Sequence, residues 1–207
     1  YDVVHVWKGS FFRLDDHIAR FQASMAGLLL AVPLTGEDIA RILHDCVRAS
    51  GLRDAYVAMI CTRGTPAPGS PRHPAYCRNR FWAFVTPFAW VIPPEVQERG
   101  AHLIIAKTPR IPPECVDPTI KNYHWGDLTR ALFEARDAGA DNAILLDHDG
   151  YVTEGPGFNV FAVIDGTVVT PDRGALEGIT RKSVLELCDE LGIPARIGRI
   201  TRQQLLD

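Results

Sequence analysis

The sequence predicts an α+β protein in which a small α/β half precedes a larger, β-rich half, and three observations indicate this class. Residues 15–29 and 37–49 repeat apolar side chains at the period of amphipathic helices. Residues 55–62 and 81–91 are rich in β-branched and aromatic side chains, which favour strands. After Pro93-Pro94 the pattern changes to short strand-like runs joined by hairpin turns.

The first half begins with a strand, a turn and a helix. Residues 1–7 alternate weakly in polarity, as a half-buried strand does, and the Lys-Gly dipeptide at 8–9 is a hairpin signal. Asp15 or Asp16 is expected to cap the first helix, because a carboxylate accepts from the unpaired N–H groups of a first turn. Pro33 is expected to end this element.

The second half is predicted to consist of short strands around two helices. The predicted strands are 102–106, 143–147, 151–153, 158–163 and 167–170. The predicted helices are 127–138 and 180–191. Residues 151–153 are expected to pair with 158–163, and the Asp-Gly dipeptide at 165–166 is typical of a two-residue hairpin turn.

These elements divide the chain into three parts. We expect a small N-terminal α/β domain at 1–90, an inter-domain linker at 91–96, and a larger domain at 97–207. The chain lacks an initiator Met and stops within what reads as the first turns of a helix. Both ends are therefore expected to be truncated.

The composition excludes several classes of function. Of 207 residues, 46% are apolar and 23% are charged, and the net charge of −3 provides no electrostatic attraction for nucleic acid or an anionic membrane. The longest apolar stretches are too short to span a bilayer. Five scattered cysteines without a CxxC pair, and seven dispersed histidines without HExxH, predict a cytoplasmic protein without a metal site.

Lys121 lies in an irregular segment, Asp-Pro-Thr-Ile-Lys-Asn-Tyr-His-Trp-Gly-Asp at 117–127, just before a predicted helix. Apolar and aromatic neighbours can desolvate its amine, and a desolvated amine is the nucleophile that Schiff-base chemistry needs. The alternative is a surface lysine whose stem lies over Tyr123 or Trp125.

Glu154 lies in a glycine-rich bend between two strand-like runs. A buried carboxylate there can keep a pyridine nitrogen protonated, although a simple turn-forming acid is the alternative. Gly178 directly precedes a predicted helix, so the N–H groups of Ile179 and Thr180 can hold a phosphate dianion. An ordinary N-cap threonine is the alternative there. Arg20 lies opposite the apolar stripe of its helix, and periodicity alone predicts that it is exposed.

Together these segments resemble the class IV (fold type IV) pyridoxal-phosphate-dependent aminotransferases. The matching order is His-x-x-Arg at 17–20, the lysine segment, Glu-Gly-x-Gly-Phe-Asn at 154–159, and Leu-x-Gly-Ile-Thr-Arg at 176–181. The resemblance covers essentially all 207 positions. It implies a two-domain architecture with a β-rich pseudo-barrel as the larger domain.

Within that family, residues 11–17 with Trp7, the lysine segment, and Thr-Pro-Asp-Arg at 170–173 are most similar to the (R)-selective amine transaminases. This implies transfer of an amino group from an (R)-amine to a keto acid such as pyruvate, by a homodimer. The alternatives are a branched-chain or D-amino-acid aminotransferase, an aminodeoxychorismate lyase of the same fold, and a non-catalytic relative.

The resemblance also implies roles for individual residues. Lys121 is expected to form the Schiff base with the cofactor, pyridoxal 5′-phosphate, and to transfer the substrate proton. Glu154 is expected to pair with the pyridine nitrogen. The implied cofactor-binding residues are Arg20, Lys121, Glu154, Leu176, Gly178, Ile179 and Thr180.

The implied substrate pocket is less complete. Tyr1, Val3, Tyr56 and Trp125 are expected to line it. Arg72 on the 64–74 loop, with Arg63 as the second choice, is expected to receive the carboxylate of the keto acid.

Two positions depart from the family pattern. Pro156 replaces a serine that is usual there, which removes a hydroxyl close to the cofactor. Ala58 stands where some relatives carry a polar pocket residue, so we expect a less polar pocket.

Overall fold

The computed structural model describes residues 1–206, which form two compact units. The first unit comprises residues 1–89 and 120–123, and the second comprises 90–119 and the chain from His124 onward. The first unit therefore includes a short segment that is distant from it in sequence. None of the helices in the described residues combines the length and the hydrophobicity needed to span a bilayer.

The first unit is an antiparallel four-stranded sheet with two α-helices and one short 3₁₀ helix. Its strands are β1 (Asp2–Trp7), β2 (Ser10–Phe11), β3 (Ala55–Thr62) and β4 (Arg80–Pro87). Its helices are α1 (Leu14–Gly27), α2 (Gly36–Ser50) and a short 3₁₀ helix (Pro74–Tyr76). The sheet order is β2-β1-β3-β4, and the hairpin turn predicted at 8–9 joins the first two strands.

One face of this sheet forms the core of the unit. The alternation along β1 and β3 buries Val4, Val6, Val57 and Met59 completely. They belong to one cluster with the buried side chains of α1 and α2, which include Phe21, Ile39 and Leu43. The prediction of two amphipathic helices packed on a sheet is confirmed.

Both predicted limits of α1 were wrong. The residue before its first turn is Arg13, in the left-handed conformation with φ of 53°, and the carboxylate of Asp16 instead accepts a hydrogen bond from the Arg13 Nε (2.6 Å).

At the other end α1 stops at Gly27, well before Pro33. Leu29 adopts the left-handed conformation with φ of 53°, and the Leu30 N–H donates to the Met25 carbonyl (2.8 Å), which closes the helix. Arg63 also donates to the carbonyls of Leu28 and Leu29 (both 2.5 Å).

Helix α2 has a complete capping box at its N-terminus. The Thr35 hydroxyl accepts from the Asp38 N–H (3.1 Å), and the Asp38 carboxylate accepts from the Thr35 N–H (3.0 Å). Gly51 closes the other end with φ of 69°. Both ends of this helix are therefore specified by local chemistry.

Thr35→Ala is expected to lower the free energy of unfolding by about 1 kcal/mol, because one N–H of the first turn loses its acceptor. Urea denaturation at equilibrium measures this change. Thr35→Ser keeps the hydroxyl and is the matched control. An Ala variant as stable as the Ser variant would show that the capping box does not stabilise this helix.

The second unit contains small sheets and four helices among the described residues. Its strands are β5 (Leu103–Ile105), β6 (Asn142–Ile144), β7 (Glu154–Gly155), β8 (Phe158–Asn159), β9 (Ala162–Ile164), β10 (Thr167–Thr170) and β11 (Ala195–Ile197). Its helices are α3 (Pro94–Arg99), α4 (Gly126–Asp137), α5 (Ile179–Glu190) and α6 (Arg202–Leu206). Helix α3 thus begins inside the segment expected to be a linker. Strands β5 and β6 are parallel, β7 pairs with β8, and the third sheet has the order β11-β10-β9.

The predicted pairing of 151–153 with 158–163 was wrong. Glu154 pairs with Asn159 and Gly155 with Phe158, whereas Val152 bridges to Leu146. The reason is the two-residue loop at 156–157, in which proline precedes a glycine with φ of 90°. Such a turn pairs its immediate neighbours, and this brings Glu154 into the hairpin.

Candidate active site

The segment 120–123 places Lys121 in the first unit. The Lys121 N–H donates to the hydroxyl of the buried Ser24 on α1 (3.0 Å), and its Nζ lies 4.8 Å from the centre of the Tyr1 ring. Tyr1 stacks on Tyr123 with ring centres 4.1 Å apart. The Lys121 side chain is half-buried, and its amine lies over the face of the Tyr1 ring.

Gly27 explains why the segment can lie so close to α1. A Cβ at this position would be 2.5 Å from the Ile120 Cδ1, which is closer than packed atoms allow. Ile120 therefore occupies the space that a side chain at position 27 would fill. The Ile120 side chain, next to Lys121 in the chain, thus packs directly on α1.

Arg20 is not exposed, contrary to what periodicity alone predicts. Its Nε and Nη2 donate to the two carboxylate oxygens of Asp2 (2.7 and 2.8 Å), and the His17 Nδ1 lies 2.9 Å from the same carboxylate. Asp2 is completely buried. Burial acts to raise its pKa, but the hydrogen bonds from Arg20 and His17 outweigh it and lower the pKa to about 2. The His-x-x-Arg pattern thus places both side chains on one buried carboxylate.

The face of the sheet opposite the core bears the predicted pocket residues of the first unit. On this second face Val3 pairs with Ala58, and His5 pairs with Tyr56. Burial lowers the pKa of His5 and raises the pKa of Tyr56, so both side chains are neutral at pH 7. These four positions therefore form an uncharged surface.

The two candidate arginines of the loop differ in their surroundings. Arg63 is bound to the end of α1, as described above, and this bonding does not suit a second role in binding a carboxylate. Arg72 is exposed on the loop between β3 and β4. Its role in binding the carboxylate of the keto acid stays a prediction.

In the second unit Glu154 is buried in a charged cluster. Arg110 donates from Nε and Nη2 to the Glu154 Oε1 (3.1 and 3.0 Å), and from Nη1 to Asp127 (2.6 Å). The Leu176 N–H donates to the other Glu154 oxygen (3.0 Å). Glu154 is therefore fixed on both oxygens, and the simple turn-forming acid is no longer the better interpretation.

Asp127 is the second carboxylate of this cluster. Burial acts to raise its pKa, but hydrogen bonds from the Ile111 N–H and from Arg110 outweigh it, and the pKa lies below its usual range. The sequence interpretation did not single out Arg110, and it cited Asp127 only as part of the lysine segment. The available signal was weak, namely an arginine close to several prolines in an irregular stretch.

Residues 176–180 lie beside Glu154. The Asn159 side chain donates to the Leu176 carbonyl (2.7 Å), and Gly178 precedes the first turn of α5 without a side-chain cap. Ile179 is buried and Thr180 is exposed. The structure thus brings Glu154, Leu176 and Gly178 together, with the N-terminus of α5 directly following. Trp125 lies in the same unit, 3.8 Å from where a Cβ of Gly157 would be.

Gly178→Ala is expected to destabilise the second unit by about 1–3 kcal/mol. The added Cβ would lie 2.1 Å from the Asn159 Oδ1, so the Asn159 side chain must move and lose its bond to Leu176. Gly126→Ala is the matched control, because nothing lies within 4 Å of a Cβ there. Thermal unfolding compares the two variants. Equal melting temperatures would contradict the close contact.

This geometry defines a class of protein: an α+β chain with a half-buried lysine on an aromatic face, and a buried carboxylate next to a helix N-terminus. The family model for amino-transferase class IV matches residues 1–207. The chain belongs to the class IV aminotransferase family. The fold class predicted from the sequence is thereby confirmed, whereas the roles of the individual site residues stay predictions.

Several relatives share this fold. The chain is 33% identical over 196 residues to a putative branched-chain-amino-acid aminotransferase of Methanocaldococcus jannaschii, covering 93% of this chain and 66% of that protein. The solved structure of the branched-chain aminotransferase of Thermoproteus uzoniensis with norvaline has a TM-score of 0.88 at 30% identity. That comparison covers 99% of this chain and 69% of the other.

A second solved structure agrees. The branched-chain amino acid aminotransferase of Thermobaculum terrenum in its PLP-form (holo-form) has a TM-score of 0.85 at 27% identity, covering 98% of this chain and 68% of the other. The chain thus spans about two thirds of the length of the curated relatives that it matches.

Proposed function

We propose that the protein is a pyridoxal 5′-phosphate-dependent aminotransferase whose amino donor has a branched, apolar side chain. The observation that supports this most directly is the Lys121 amine, held over the Tyr1 ring by a segment that is anchored to the buried Ser24. A half-buried amine whose backbone is held in place is suited, once deprotonated, to bind a carbonyl compound covalently.

The residues fit the cofactor in three respects. Lys121 supplies the amine, Glu154 supplies a buried carboxylate for a ring nitrogen, and the N-terminus of α5 supplies N–H groups for a phosphate. When bound, the cofactor supplies the electron sink that makes the proton on the donor carbon acidic. Lys121 then takes and returns this proton, while Arg20, oriented by Asp2, adds positive charge for the phosphate.

The choice of a branched-chain donor has two supports. The named relatives are branched-chain aminotransferases, at 27–33% identity. In addition, the uncharged second face of the sheet, with Val3 and Ala58 paired at its centre, offers apolar contact to an aliphatic side chain. This choice replaces the (R)-amine interpretation as the first candidate.

An (R)-amine donor with a keto acid such as pyruvate as acceptor is the second candidate. The Val3–Ala58 pair favours it, because neither side chain can bind the carboxylate that an amino acid carries and a simple amine lacks. The motif resemblance of residues 11–17 and 117–127 supports the same candidate.

The test uses the full-length protein loaded with pyridoxal phosphate. The absorbance of the bound cofactor is followed during single half-reactions with L-leucine, D-alanine, (R)-phenylethylamine and its (S)-enantiomer. The fastest change with L-leucine supports the proposal, and the fastest change with the (R)-amine moves the function to the second candidate. No change with any donor overturns an aminotransferase function. Release of many equivalents of pyruvate per cofactor from aminodeoxychorismate, without a keto-acid acceptor, indicates a lyase.

We also propose that the protein acts as a homodimer in the cytoplasm. Five free thiols suit a reducing compartment. The molecular mass of the full-length protein in solution tests the dimer. A monomer that retains full activity would contradict it.

A further inference from the structure

We propose that Arg110 is a positioning residue that fixes the Glu154 carboxylate and keeps it ionised to face a protonated ring nitrogen of the cofactor. This inference rests on the proposed function, because it takes Glu154 as the partner of that nitrogen. Arg110 itself is assigned no contact with substrate or cofactor. Its effect is transmitted through Glu154.

The geometry restrains Arg110 from three directions. Its backbone N–H donates to the Leu146 carbonyl (2.8 Å), and its Nη1 donates to Asp127 (2.6 Å). Its Nε and Nη2 converge on the Glu154 Oε1. Only 7% of Arg110 is exposed, so no water replaces these bonds at low cost.

The positions of the donors orient the carboxylate. The Arg110 Nε and Nη2 both donate to Oε1, whereas Oε2 accepts from the Leu176 N–H (3.0 Å). Oε2 therefore faces the 176–180 segment, which precedes and begins α5.

The charges of the cluster point to the same conclusion. One guanidinium lies between two carboxylates, so Arg110, Asp127 and Glu154 together bear a net charge of −1 when all are ionised. A guanidinium against a carboxylate favours its ionised form, and two carboxylates without it would compete for a proton. The remaining negative charge is compensated when a protonated nitrogen approaches Glu154.

The competing interpretation is that Arg110 only stabilises the fold by linking β7 to α4. It predicts that any substitution that breaks the cluster lowers the free energy of unfolding, and that cofactor affinity falls in proportion to this loss. The positioning role predicts a different pattern, because losing Arg110 matters only while Glu154 is there to be positioned. A double-mutant cycle separates the two.

The experiment uses the full-length apoprotein and the variants Arg110→Met, Arg110→Lys, Glu154→Gln and the Met/Gln double variant. Binding of pyridoxal phosphate is titrated by tryptophan fluorescence, and stability is measured by urea denaturation. Arg110→Met is expected to weaken binding by about 10–100-fold, as loss of a charged hydrogen-bond partner does. The double variant is expected to bind within about twofold of Glu154→Gln, since coupled residues are not additive.

Arg110→Lys and one further variant, Asp127→Asn, guard against misfolding as the cause. Arg110→Lys keeps the positive charge but cannot donate two parallel hydrogen bonds to Glu154. It is expected to bind pyridoxal phosphate with an affinity between those of the wild type and Arg110→Met. Asp127→Asn breaks the other side of the cluster and is expected to weaken binding less than Arg110→Met. Equal loss in Asp127→Asn and Arg110→Met, or losses that multiply in the double variant, would overturn the positioning role.

A readout independent of the cofactor completes the test. Carboxyl ¹³C NMR of Glu154 in the apoprotein is expected to show protonation at a higher pH in Arg110→Met than in the wild type. An unchanged titration overturns the proposal. A wild-type protein that binds no pyridoxal phosphate overturns the proposed function, and the Glu154 titration then still decides whether Arg110 keeps that carboxylate ionised.

Discussion

Lys121→Ala is expected to abolish amino transfer while leaving the chain folded. Removing the amine eliminates both the covalent attachment of the cofactor and the proton acceptor, so the rate is expected to fall by about 10³-fold or more. The fold should persist, because the side chain is half-buried and its amine contacts the Tyr1 ring at 4.8 Å, a contact worth about 1 kcal/mol. Half-reactions with L-leucine and thermal unfolding measure the two effects.

Two variants sharpen this prediction. Lys121→Arg keeps a cation above the Tyr1 ring but is a poor nucleophile, so it should be as inactive as the alanine variant. Lys107→Ala removes an exposed lysine whose hydrogen bond to Glu134 is made by its backbone N–H, and it should retain activity. If Lys121→Ala turned over substrate at the rate of Lys107→Ala, the assignment of the lysine would be wrong.

Asp2→Asn is expected to lower the free energy of unfolding by about 3–5 kcal/mol, the usual cost of leaving a buried charge without its partner. Asp2 is completely buried, and its carboxylate receives both donors of Arg20. Binding of pyridoxal phosphate should also weaken, because Arg20 loses the acceptor that orients it. Chemical denaturation of the full-length protein at pH 7 measures the change in the free energy of unfolding.

The stability difference between the wild type and Asp2→Asn is expected to decrease as the pH falls. The pKa of Asp2 is lowered from 3.8 to about 2 on folding, so the stabilisation is complete above about pH 4 and is lost as the pH falls through about 2. The difference in stability between wild type and Asp2→Asn should therefore shrink by about 2 kcal/mol between pH 5 and pH 2. A difference that stays constant over this range would contradict an ionised Asp2 in the folded state.

Local signals predicted much of the fold. The apolar periodicity of residues 37–49 predicted α2 to within one residue of each of its ends, Gly36–Ser50. The dipeptides at 8–9 and 165–166 form the expected turns, with positive φ at all four positions. The C-terminal limit of α1 was mispredicted because Leu29, a residue type that seldom adopts positive φ, ends the helix in the left-handed conformation, where Arg63, distant in sequence, binds the carbonyls.

The site was predictable only in part. Motif resemblance pointed to Lys121, Glu154 and Arg20, since these residues stand in ordered patterns along the chain. It gave no means of finding the partners that hold them. Arg110 lies 44 residues from Glu154, and Asp2 lies 18 residues before Arg20.

The sequence alone determined the α+β class, most of the helices, and the family to which the chain belongs, because periodicity, capping and motif order are properties of neighbouring residues. Only the tertiary structure decided which charges are buried together. Asp2 with Arg20, and Arg110 with Glu154, pair because folding removes them from water, and a buried charge requires a partner that sequence spacing does not reveal.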